Sequence, residues 1–225
     1  MSRLLIVGRG RMGRIVESLS AEHGFDVAGR IDRASASRDG DWPAADVAID
    51  FSTPDAVPAN LPRLAARGMP VVIGTTGWQA HEEALRGDPA VQRIGVVAAP
   101  NFALGVNIFL ALAERAGASM AAQDSFGAWI HEAHHAAKRD APSGTALAIE
   151  AAVRRGGYTR PVNIASTRAG SIPGTHTLGF DGAAETLTFT HETRDRSVFA
   201  RGALQAARWV IGRRGWFTMS DVLGL

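Results

Sequence analysis

The chain has 225 residues, of which 46% are hydrophobic and 20% charged, so it can bury the core of one large domain or two small ones. Its formal net charge is only +2 and its arginines are dispersed, which argues against nucleic-acid binding. The absence of cysteine excludes disulfides, thiolate catalysis and cysteine zinc sites, and no apolar run reaches the roughly 18 residues of a membrane-spanning helix. Because no secretory leader is recognisable, we expect a cytoplasmic protein.

Residues 3–7 are a short apolar run that predicts a buried strand of a parallel sheet. A G-x-G-x-x-G pattern follows directly, and a helical periodicity through Ile15, Val16 and Leu19 comes next. In this order of strand, turn and helix, the glycines allow a tight turn, close approach of a pyrophosphate and close helix–strand packing. The candidate cofactor-binding residues of the turn are Gly8, Arg9, Gly10, Arg11, Met12 and Gly13.

A second strand is predicted over residues 26–31 and ends at Asp32. This acid lies about twenty residues beyond the glycine turn, where a dinucleotide-binding fold places the carboxylate that binds the ribose hydroxyls. Arg33 follows it and could pair with a 2′-phosphate. Asp32 alone favours NADH, whereas Asp32 with Arg33 indicates weak discrimination, so the predicted cofactor is NADH or NADPH.

Strands and helices then alternate along the chain. Strands are predicted at residues 46–51, 70–73 and 93–98, with helices at residues 54–66 and around Leu85. This alternation predicts an N-terminal, Rossmann-like domain with a doubly wound parallel sheet, whose ligands bind at the carboxyl ends of the strands. Further candidate cofactor-binding residues at these ends are Phe51, Ser52, Gly74, Thr75, Thr76, Ala99, Pro100, Asn101 and Phe102.

The second half of the chain changes in character. An apolar helix from residue 104 is predicted to end at Gly117, and strand-like runs follow further on. They predict a second, α+β domain with an open mixed sheet whose exposed face would suit subunit pairing. The predicted strands cover residues 161–168, 176–180 and 185–191, and a final helix covers residues 198–212. We assign residues 1–101 and 204–225 to the dinucleotide-binding domain and residues 102–203 to a substrate-binding and oligomerisation domain.

Residues 129–145, WIHEAHHAAKRDAPSGT, contain the only lysine of the chain, Lys138, beside paired histidines. Lysine, unlike arginine, can lose its proton when its surroundings lower its pKa, which suits a proton-transfer role. A single lysine that is only solvated, in a polar loop, explains the presence of one lysine in the chain equally well.

Residues 131–135, HEAHH, match the H-E-x-x-H pattern of zinc proteases. That pattern needs a helix, where residues four apart share a face and can reach one metal ion. Residues 125–130 instead predict a buried strand, which would separate His131 from His135 by roughly 13 Å. We therefore expect no metal at this site.

Pro142 disfavours helix at the residue before it, and Ser143 is a good N-cap for a helix over residues 145–155 that ends at Gly156. Free N–H groups at a helix N-terminus bind anions. The stretch therefore combines proton donors with a binding site for a carboxylate or phosphate. A capped helix after a loop explains Ser143 alone, but not the adjacent histidines and lysine.

Residues 132–146, EAHHAAKRDAPSGTA, resemble the signature E-x-H-H-x-x-K-x-D-A-P-S-G-T-A of the 4-hydroxy-tetrahydrodipicolinate reductase family and match it without a gap. The resemblance covers nearly the whole chain, with counterparts to residues 7–13, 50–52, 74–77, 100–102, 105–107, 168–176 and 199–203. It implies NAD(P)H-dependent reduction of 4-hydroxy-tetrahydrodipicolinate, via dihydrodipicolinate, to tetrahydrodipicolinate in the diaminopimelate pathway of lysine biosynthesis. It also implies a homotetramer that takes a small dicarboxylate substrate.

The resemblance further implies residue roles in the central stretch. His134 is the proton donor or acceptor and Lys138 the proton donor, while the start of the helix holds a substrate carboxylate. The substrate-binding residues that it implies are His135, Ser143, Gly144 and Thr145. Two departures stand out: the glycine turn is one residue shorter than the three-glycine form common in the family, and the chain is short for the family.

Three other functions stay open from the sequence. Another two-domain NAD(P)-dependent dehydrogenase could act on a different imine or carbonyl dicarboxylate. A zinc hydrolase could use His131, Glu132 and His135, and a nicotinamide-sensing module could bind the cofactor without turnover. The sequence also leaves open the choice between NADH and NADPH and whether the dehydration step is catalysed.

Overall fold

The structure is a computed structural model that describes residues 1–32 and 42–225. These residues form two compact units, one of residues 1–104 with 196–225 and one of residues 105–195. The domain boundaries assigned from the sequence stay a prediction. None of the helices in the described ranges combines the length and the apolar character that crossing a bilayer requires.

The first unit contains a parallel sheet with helices packed on both faces. Its strands are β1 (Ser2–Val7), β2 (Phe25–Ile31), β3 (Val47–Asp50), β4 (Val71–Ile73), β5 (Gly95–Ala98) and β10 (Gly215–Phe217). Its helices are α1 (Arg11–Leu19), α2 (Val57–Ala66), α3 (Glu82–Gly87), α6 (Ser197–Val210) and α7 (Met219–Leu223). The six strands lie in the order β10-β5-β4-β3-β1-β2, with every neighbouring pair parallel. The predicted Rossmann-like, doubly wound sheet is confirmed.

Alternate side chains of β1 enter two separate hydrophobic cores, one on each face of the sheet. Leu4 and Ile6 pack in the core that contains residues of α1 and α6, and Leu5 and Val7 pack in the core that contains residues of α2. All four are at most 2% exposed. Burying a side chain of this size contributes about 1.5–3 kcal/mol, so the apolar run both forms the strand and holds it at the centre of the sheet.

Two strands near one edge of this sheet differ from the prediction. β5 begins at Gly95 rather than at residue 93, because Val91–Arg93 form a 3-10 turn. β10 was not predicted, since three residues are too few to show a periodicity. It pairs with β5 in parallel at the edge of the sheet.

The second unit is a mixed sheet joined to two helices. Its strands are β6 (Gly127–His134), β7 (Val162–Arg168), β8 (Thr175–Asp181) and β9 (Thr186–Glu192), and its helices are α4 (Leu104–Met120) and α5 (Gly144–Arg155). The strand order is β7-β6-β8-β9, with β6 parallel to β7 and the other pairs antiparallel. The predicted open mixed sheet is confirmed.

The alternation of side chains along β6 separates a packed face of this sheet from an open one. Ala128 and Ile130 are buried in a core with Phe109 of α4 and Ile149 of α5. His131, which points the other way, is exposed. Because side chains alternate with a period of two, the alternation along β6 also determines which of its later residues point into the interior.

The predicted end of the helix at Gly117 is wrong, because α4 continues to Met120. Gly117 is buried, and a β-carbon at this position would lie 2.3 Å from the carbonyl oxygen of Val153 in α5. The glycine therefore lets two helices approach closely instead of ending one. Gly156, just past α5, has the same role against α4, where a β-carbon would lie 2.2 Å from the carbonyl oxygen of Glu114.

Candidate active site

A cleft of about 540 Å³ opens at the carboxyl ends of β1, β2 and β3 in the first unit. This is the edge of a doubly wound sheet at which ligands bind, and the volume lies in the range of small-molecule sites. Predicted cofactor-binding residues that line it are Gly8, Arg9, Gly10, Asp32, Phe51 and Ser52. The cleft also contacts Asn60 and Asp55, which the sequence pattern did not single out.

The glycines of the turn are each placed differently. Gly8 has φ +95°, and a β-carbon there would lie 2.3 Å from the carbonyl oxygen of Phe51. A β-carbon on Gly13 would lie 1.9 Å from the carbonyl oxygen of Gly8, whereas one on Gly10 would meet no atom within 4 Å. Gly10 is also the N-cap of α1, so open space adjoins the positive end of that helix. A pyrophosphate fits there, close to the backbone.

Asp32 lies directly after β2, at the rim of the cleft, as the fingerprint requires. Nη1 of Arg9 lies 4.0 Å from Oδ2 of Asp32, and the two side chains are 54% and 42% exposed. An exposed pair at this distance contributes little to stability. Arg33 lies outside the described residues.

Buried hydrogen bonds around Asp50 fix the ends of β3 and β4. Oδ1 of Asp50 accepts from the N–H of Ser52 at 2.8 Å and from Oγ1 of Thr75 at 3.1 Å. Oδ2 accepts from Nδ2 of Asn60 at 2.9 Å. Asp50 is only 1% exposed, so it supports the cleft without lining it. Thr75 is therefore a buried support residue, while Thr76 beside it is exposed.

The aromatic residues of the predicted cofactor set take structural positions. Phe51 is half-buried, and its ring occupies the space that a β-carbon on Gly74 would need, at 2.1 Å. Phe102 is 2% exposed and meets Phe51 edge to face, with ring centroids 6.3 Å apart. Oδ1 of Asn101 accepts a hydrogen bond of 2.8 Å from the N–H of Ala103. Ala99 is half-buried and Pro100 exposed.

In the second unit, β6 separates the residues of the H-E-x-x-H pattern. His131 lies on the open face, where its Nε2 is 3.0 Å from Oγ1 of Thr167. Glu132 points into the interior and is fully buried. The predicted strand is confirmed, and it places His131 and Glu132 on opposite sides of the sheet.

Glu132 is instead joined to His134, two residues further along the same face. Oε2 of Glu132 is hydrogen-bonded to Nδ1 of His134. The guanidinium of Arg168 donates to both carboxylate oxygens, at 2.6 and 2.9 Å. Burial opposes the charged form of Glu132, but hydrogen bonds from Arg168, Ser166 and His134 outweigh it and lower its pKa to about 2. Burial lowers the pKa of His134, and the bond to Glu132 raises it in part.

His176 completes this buried cluster from β8. Its ring meets that of His134 edge to face, with centroids 5.0 Å apart, and its Nε2 lies 3.0 Å from Oγ of Ser143. Burial lowers its pKa to about 4, with a further contribution from His134. Among the described residues, Glu132, His134 and His176 offer donor atoms that lie within 4.8 Å of one another. A cation placed there would face the charge of Arg168, which already takes both oxygens of Glu132.

Lys138 lies in the loop after β6. Its Nζ is 2.7 Å from each carboxylate oxygen of Asp140, and its N–H donates to the carbonyl oxygen of His135. The bond to Lys138 lowers the pKa of Asp140. The charge of Lys138 in turn lowers the pKa of His134, so the structure brings the two predicted catalytic residues into one electrostatic site.

Ser143 begins α5 as predicted, with its hydroxyl oxygen accepting from the N–H of Ala146 at 3.2 Å. Its own N–H donates to Oε1 of Glu132, so the polar groups of Ser143 are engaged inside the fold. Gly144 is exposed, and a β-carbon there would meet no atom within 4 Å. Gly144 and Thr145 therefore leave room at the helix N-terminus for an anion.

Two residues of the cluster, Arg168 and His176, were not predicted to have a role. The sequence contained a signal for them, because both lie in the stretch of residues 168–176 that resembles the family. In the sequence, Glu132 is part only of a candidate metal site. The period of two along β6 would have placed it beside His134.

Comparison with known proteins identifies the family of the chain. Residues 2–102 match the family model described as dihydrodipicolinate reductase, N-terminus, and residues 105–223 match the model described as dihydrodipicolinate reductase, C-terminus. The chain belongs to the dihydrodipicolinate reductase family. As a member, it is an oxidoreductase with an NAD(P)-binding Rossmann domain that uses NADH or NADPH, in the diaminopimelate route to lysine.

Curated members of the dihydrodipicolinate reductase family are similar over most of their length. The chain is 43% identical to the 4-hydroxy-tetrahydrodipicolinate reductase of Acidiphilium cryptum, over 96% of this chain and 94% of that protein. It is 39% identical to the protein of the same name from Thiobacillus denitrificans, over 99% and 98%. The fold resembles that of a dipicolinate-bound dihydrodipicolinate reductase from Paenisporosarcina sp. TG-14, with a TM-score of 0.79, 21% identity and 98% of each chain covered.

Proposed function

We propose that the chain reduces 4-hydroxy-tetrahydrodipicolinate, via dihydrodipicolinate, to tetrahydrodipicolinate, with the cluster around His134 and Lys138 as its active site. The nicotinamide cofactor supplies a hydride to C4 of the cyclic imine dicarboxylate, and the protein binds, orients and moves protons. The observation that carries this proposal is that His134, Lys138 and the start of α5 lie together in the second unit. A proton is added at the carbon next to C4.

The cofactor occupies the cleft of the first unit in this proposal. The turn from Gly8 to Gly13 accepts the pyrophosphate, with Arg9, Arg11 and Met12 around it, and Asp32 binds the adenosine ribose. Arg33 is assigned to the 2′-phosphate of NADPH. The remaining predicted contacts are Phe51 and Ser52, which line the cleft, and Gly74, Thr76, Ala99, Pro100 and Asn101 at the ends of β4 and β5, while Thr75 and Phe102 are buried and support this edge from within. The cleft volume and the open space at Gly10 support the assignment of the glycine turn, Asp32, Phe51 and Ser52.

One substrate carboxylate lies at the N-terminus of α5 in this proposal. Gly144 and Thr145 supply donors, and Ser143 caps the helix and fixes their position. His135 contacts the substrate from the loop, and Lys138 adds charge attraction for a dicarboxylate. The exposed backbone at Gly144 supports this role, because a side chain there would occupy the space that an anion needs.

The test is oxidation of NADH and NADPH by the purified chain in the presence of freshly generated 4-hydroxy-tetrahydrodipicolinate. We expect turnover that depends on this substrate and survives a chelator. Cofactor oxidation with a panel of other imine or carbonyl dicarboxylates, but not with this one, would favour a different two-domain dehydrogenase. Cofactor binding without turnover of any substrate would contradict the proposal.

We also propose that the chain works in the cytoplasm, where reduced nicotinamide cofactors are supplied, and that it assembles as a homotetramer through the open face of the second sheet. His131, Thr188 and Thr190 are exposed on that face, together with Asn163 and Ala165. Such a face suits pairing with an identical copy.

The oligomeric state can be tested by light scattering after gel filtration. We expect a mass of four chains of 23.7 kDa each. Thr188→Arg should reduce that mass by placing charges at the paired face. Ala59→Arg, on the exposed surface of α2, is the matched control and should leave the mass unchanged. A monomeric wild-type protein would refute the assembly.

A further inference from the structure

The carboxylate of Glu132 is surrounded by hydrogen-bond donors. Oε1 accepts from Nη2 of Arg168 at 2.6 Å and from the N–H of Ser143 at 3.2 Å. Oε2 accepts from Nη1 of Arg168 at 2.9 Å and is bonded to Nδ1 of His134. A buried carboxylate with these partners stays ionised, and an ionised carboxylate can only accept hydrogen bonds.

This environment determines where His134 carries its proton. Nδ1 must be the donor in the bond to Glu132, and a neutral imidazole has only one N–H. Nε2 is then left with its lone pair, and in the described part of the chain it has no hydrogen-bond partner. Gly174 lies beside it, since a β-carbon there would be 3.1 Å from Nε2. A glycine at that position keeps a bulky side chain away from the nitrogen.

We infer that Glu132, held by Arg168, is a positioning residue that fixes the Nδ1–H tautomer of His134 and makes Nε2 the atom that exchanges a proton with the substrate. The inference rests on the proposed function of His134. A carboxylate that orients a histidine in this way selects the tautomer and favours the imidazolium form. The N–H of Ser143 also donates to Glu132, so the same carboxylate connects the start of α5 with His134.

The charges that face His134 come from each neighbouring element. Glu132 on β6 is negative, whereas Arg168 at the end of β7 and Lys138 in the loop after β6 are positive. His176 faces it from β8, and burial keeps that ring neutral near pH 7. Among these groups only Glu132 favours the protonated form of His134. Removing its charge should therefore move the pH profile of His134 to lower pH.

Glu132→Gln is an informative variant because one orientation of its amide brings the amide nitrogen against fewer N–H donors than the other. Oε1 accepts from two fixed donors, Nη2 of Arg168 and the N–H of Ser143, whereas Oε2 accepts from one, Nη1 of Arg168, besides its bond to His134. The amide oxygen therefore opposes fewer donors when it takes the position of Oε1. The amide nitrogen then takes the position of Oε2 and donates to Nδ1 of His134. In the neutral imidazole this moves the proton from Nδ1 to Nε2, so the variant should invert the tautomer.

The first measurement determines the tautomer of His134 without relying on turnover. Nitrogen NMR of full-length protein labelled with ¹⁵N-histidine reports which ring nitrogen carries the proton, and the signal missing in His134→Gln identifies His134. We expect a protonated Nδ1 and an unprotonated Nε2 in the wild type at pH 8. In Glu132→Gln we expect the reverse. A wild-type His134 with its proton on Nε2 would overturn the inference.

Kinetics supply the second measurement. Glu132→Gln should lower kcat about 10²-fold, the low end of what positioned proton transfer contributes, with the affinity for NADPH unchanged. Glu150→Gln, which removes a glutamate paired with Arg154 on the surface of α5, is the matched control and should keep normal kcat. A Glu132→Gln enzyme with normal kcat and an unmoved pH profile would refute the positioning role. Absence of turnover in the wild type would instead refute the proposed function, while NMR would still decide the tautomer.

Discussion

A β-carbon on Gly13 would lie 1.9 Å from the carbonyl oxygen of Gly8, so these two glycines hold the turn and α1 in direct backbone contact. Gly10, between them, faces open space. The contact between Gly8 and Gly13 matters for folding, whereas the open space at Gly10 determines which ligand groups can approach the backbone. The same short pattern therefore contains residues with separable roles.

Alanine substitutions should separate these roles. Gly13→Ala forces backbone atoms apart and should lower the free energy of unfolding by about 3 kcal/mol, as overpacking does. Gly10→Ala should leave thermal stability nearly unchanged. It should weaken NADPH binding at least about tenfold, which is a loss of about 1.4 kcal/mol of binding free energy, because the new methyl group occupies the space for the pyrophosphate. Thermal melts and titration of NADPH fluorescence measure the two effects. Wild-type affinity in Gly10→Ala would place the pyrophosphate elsewhere.

Asp32→Ala should weaken NADH more than NADPH. The carboxylate is expected to accept hydrogen bonds from the ribose hydroxyls of NADH, and a hydrogen bond to a charged group contributes about 1.5–3 kcal/mol. NADPH carries a phosphate at this place and gains from the removal of a negative charge beside Arg9, 4.0 Å away. Dissociation constants for both cofactors, measured by fluorescence, check this. Equal weakening would show that Asp32 does not contact the ribose.

Stability should fall in acid because burial or hydrogen bonding lowers the pKa of several groups, with the largest shifts at His176 and Glu132 and smaller ones at His134 and His191. His176 changes from 6.5 to about 4 and Glu132 from 4.5 to about 2 on folding. The unfolded chain binds more protons in both cases. The contribution of each group to stability is therefore fully present above its ordinary pKa and is lost as the pH falls toward its pKa in the folded chain. Each group contributes about 3 kcal/mol over its window.

Urea denaturation between pH 7.5 and 3 measures this dependence. His176→Gln should make the loss between pH 6.5 and 4 clearly less steep, with the contributions of His134 and His191 remaining, and should leave the loss at lower pH in place. If the variant lost stability between pH 6.5 and 4 as steeply as the wild type, His176 would not be the group responsible.

Local sequence patterns predicted much of the fold and part of the site. The apolar run of β1, the glycine turn and the cap at Ser143 each depend on neighbouring residues, and the structure has all three. The close packing of α4 on α5 at Gly117 depends on a partner helix that local sequence does not show, so the pattern wrongly predicts the end of a helix there.

Long-range pairing explains what the sequence did not predict in the site. Arg168 lies 36 residues after Glu132, and the parallel register of β6 and β7 places Arg168 opposite His134. Nothing in the spacing of these residues gives that register. His176 reaches Ser143 in the same way, from a strand paired with β6 on its other side.

The most direct test of the proposed active site is the effect of Lys138→Arg on kcat and KM for freshly generated 4-hydroxy-tetrahydrodipicolinate at saturating NADPH. Arginine keeps the charge near Asp140 and the attraction for substrate carboxylates, but it does not give up its proton. The matched control is Arg139→Lys, an exposed neighbour in the same loop, which should be neutral. We predict that Lys138→Arg lowers kcat by about 10²–10⁴-fold with a much smaller change in KM, the pattern of an interaction made in the transition state. A Lys138→Arg enzyme with nearly normal kcat would contradict a role for Lys138 as the proton donor.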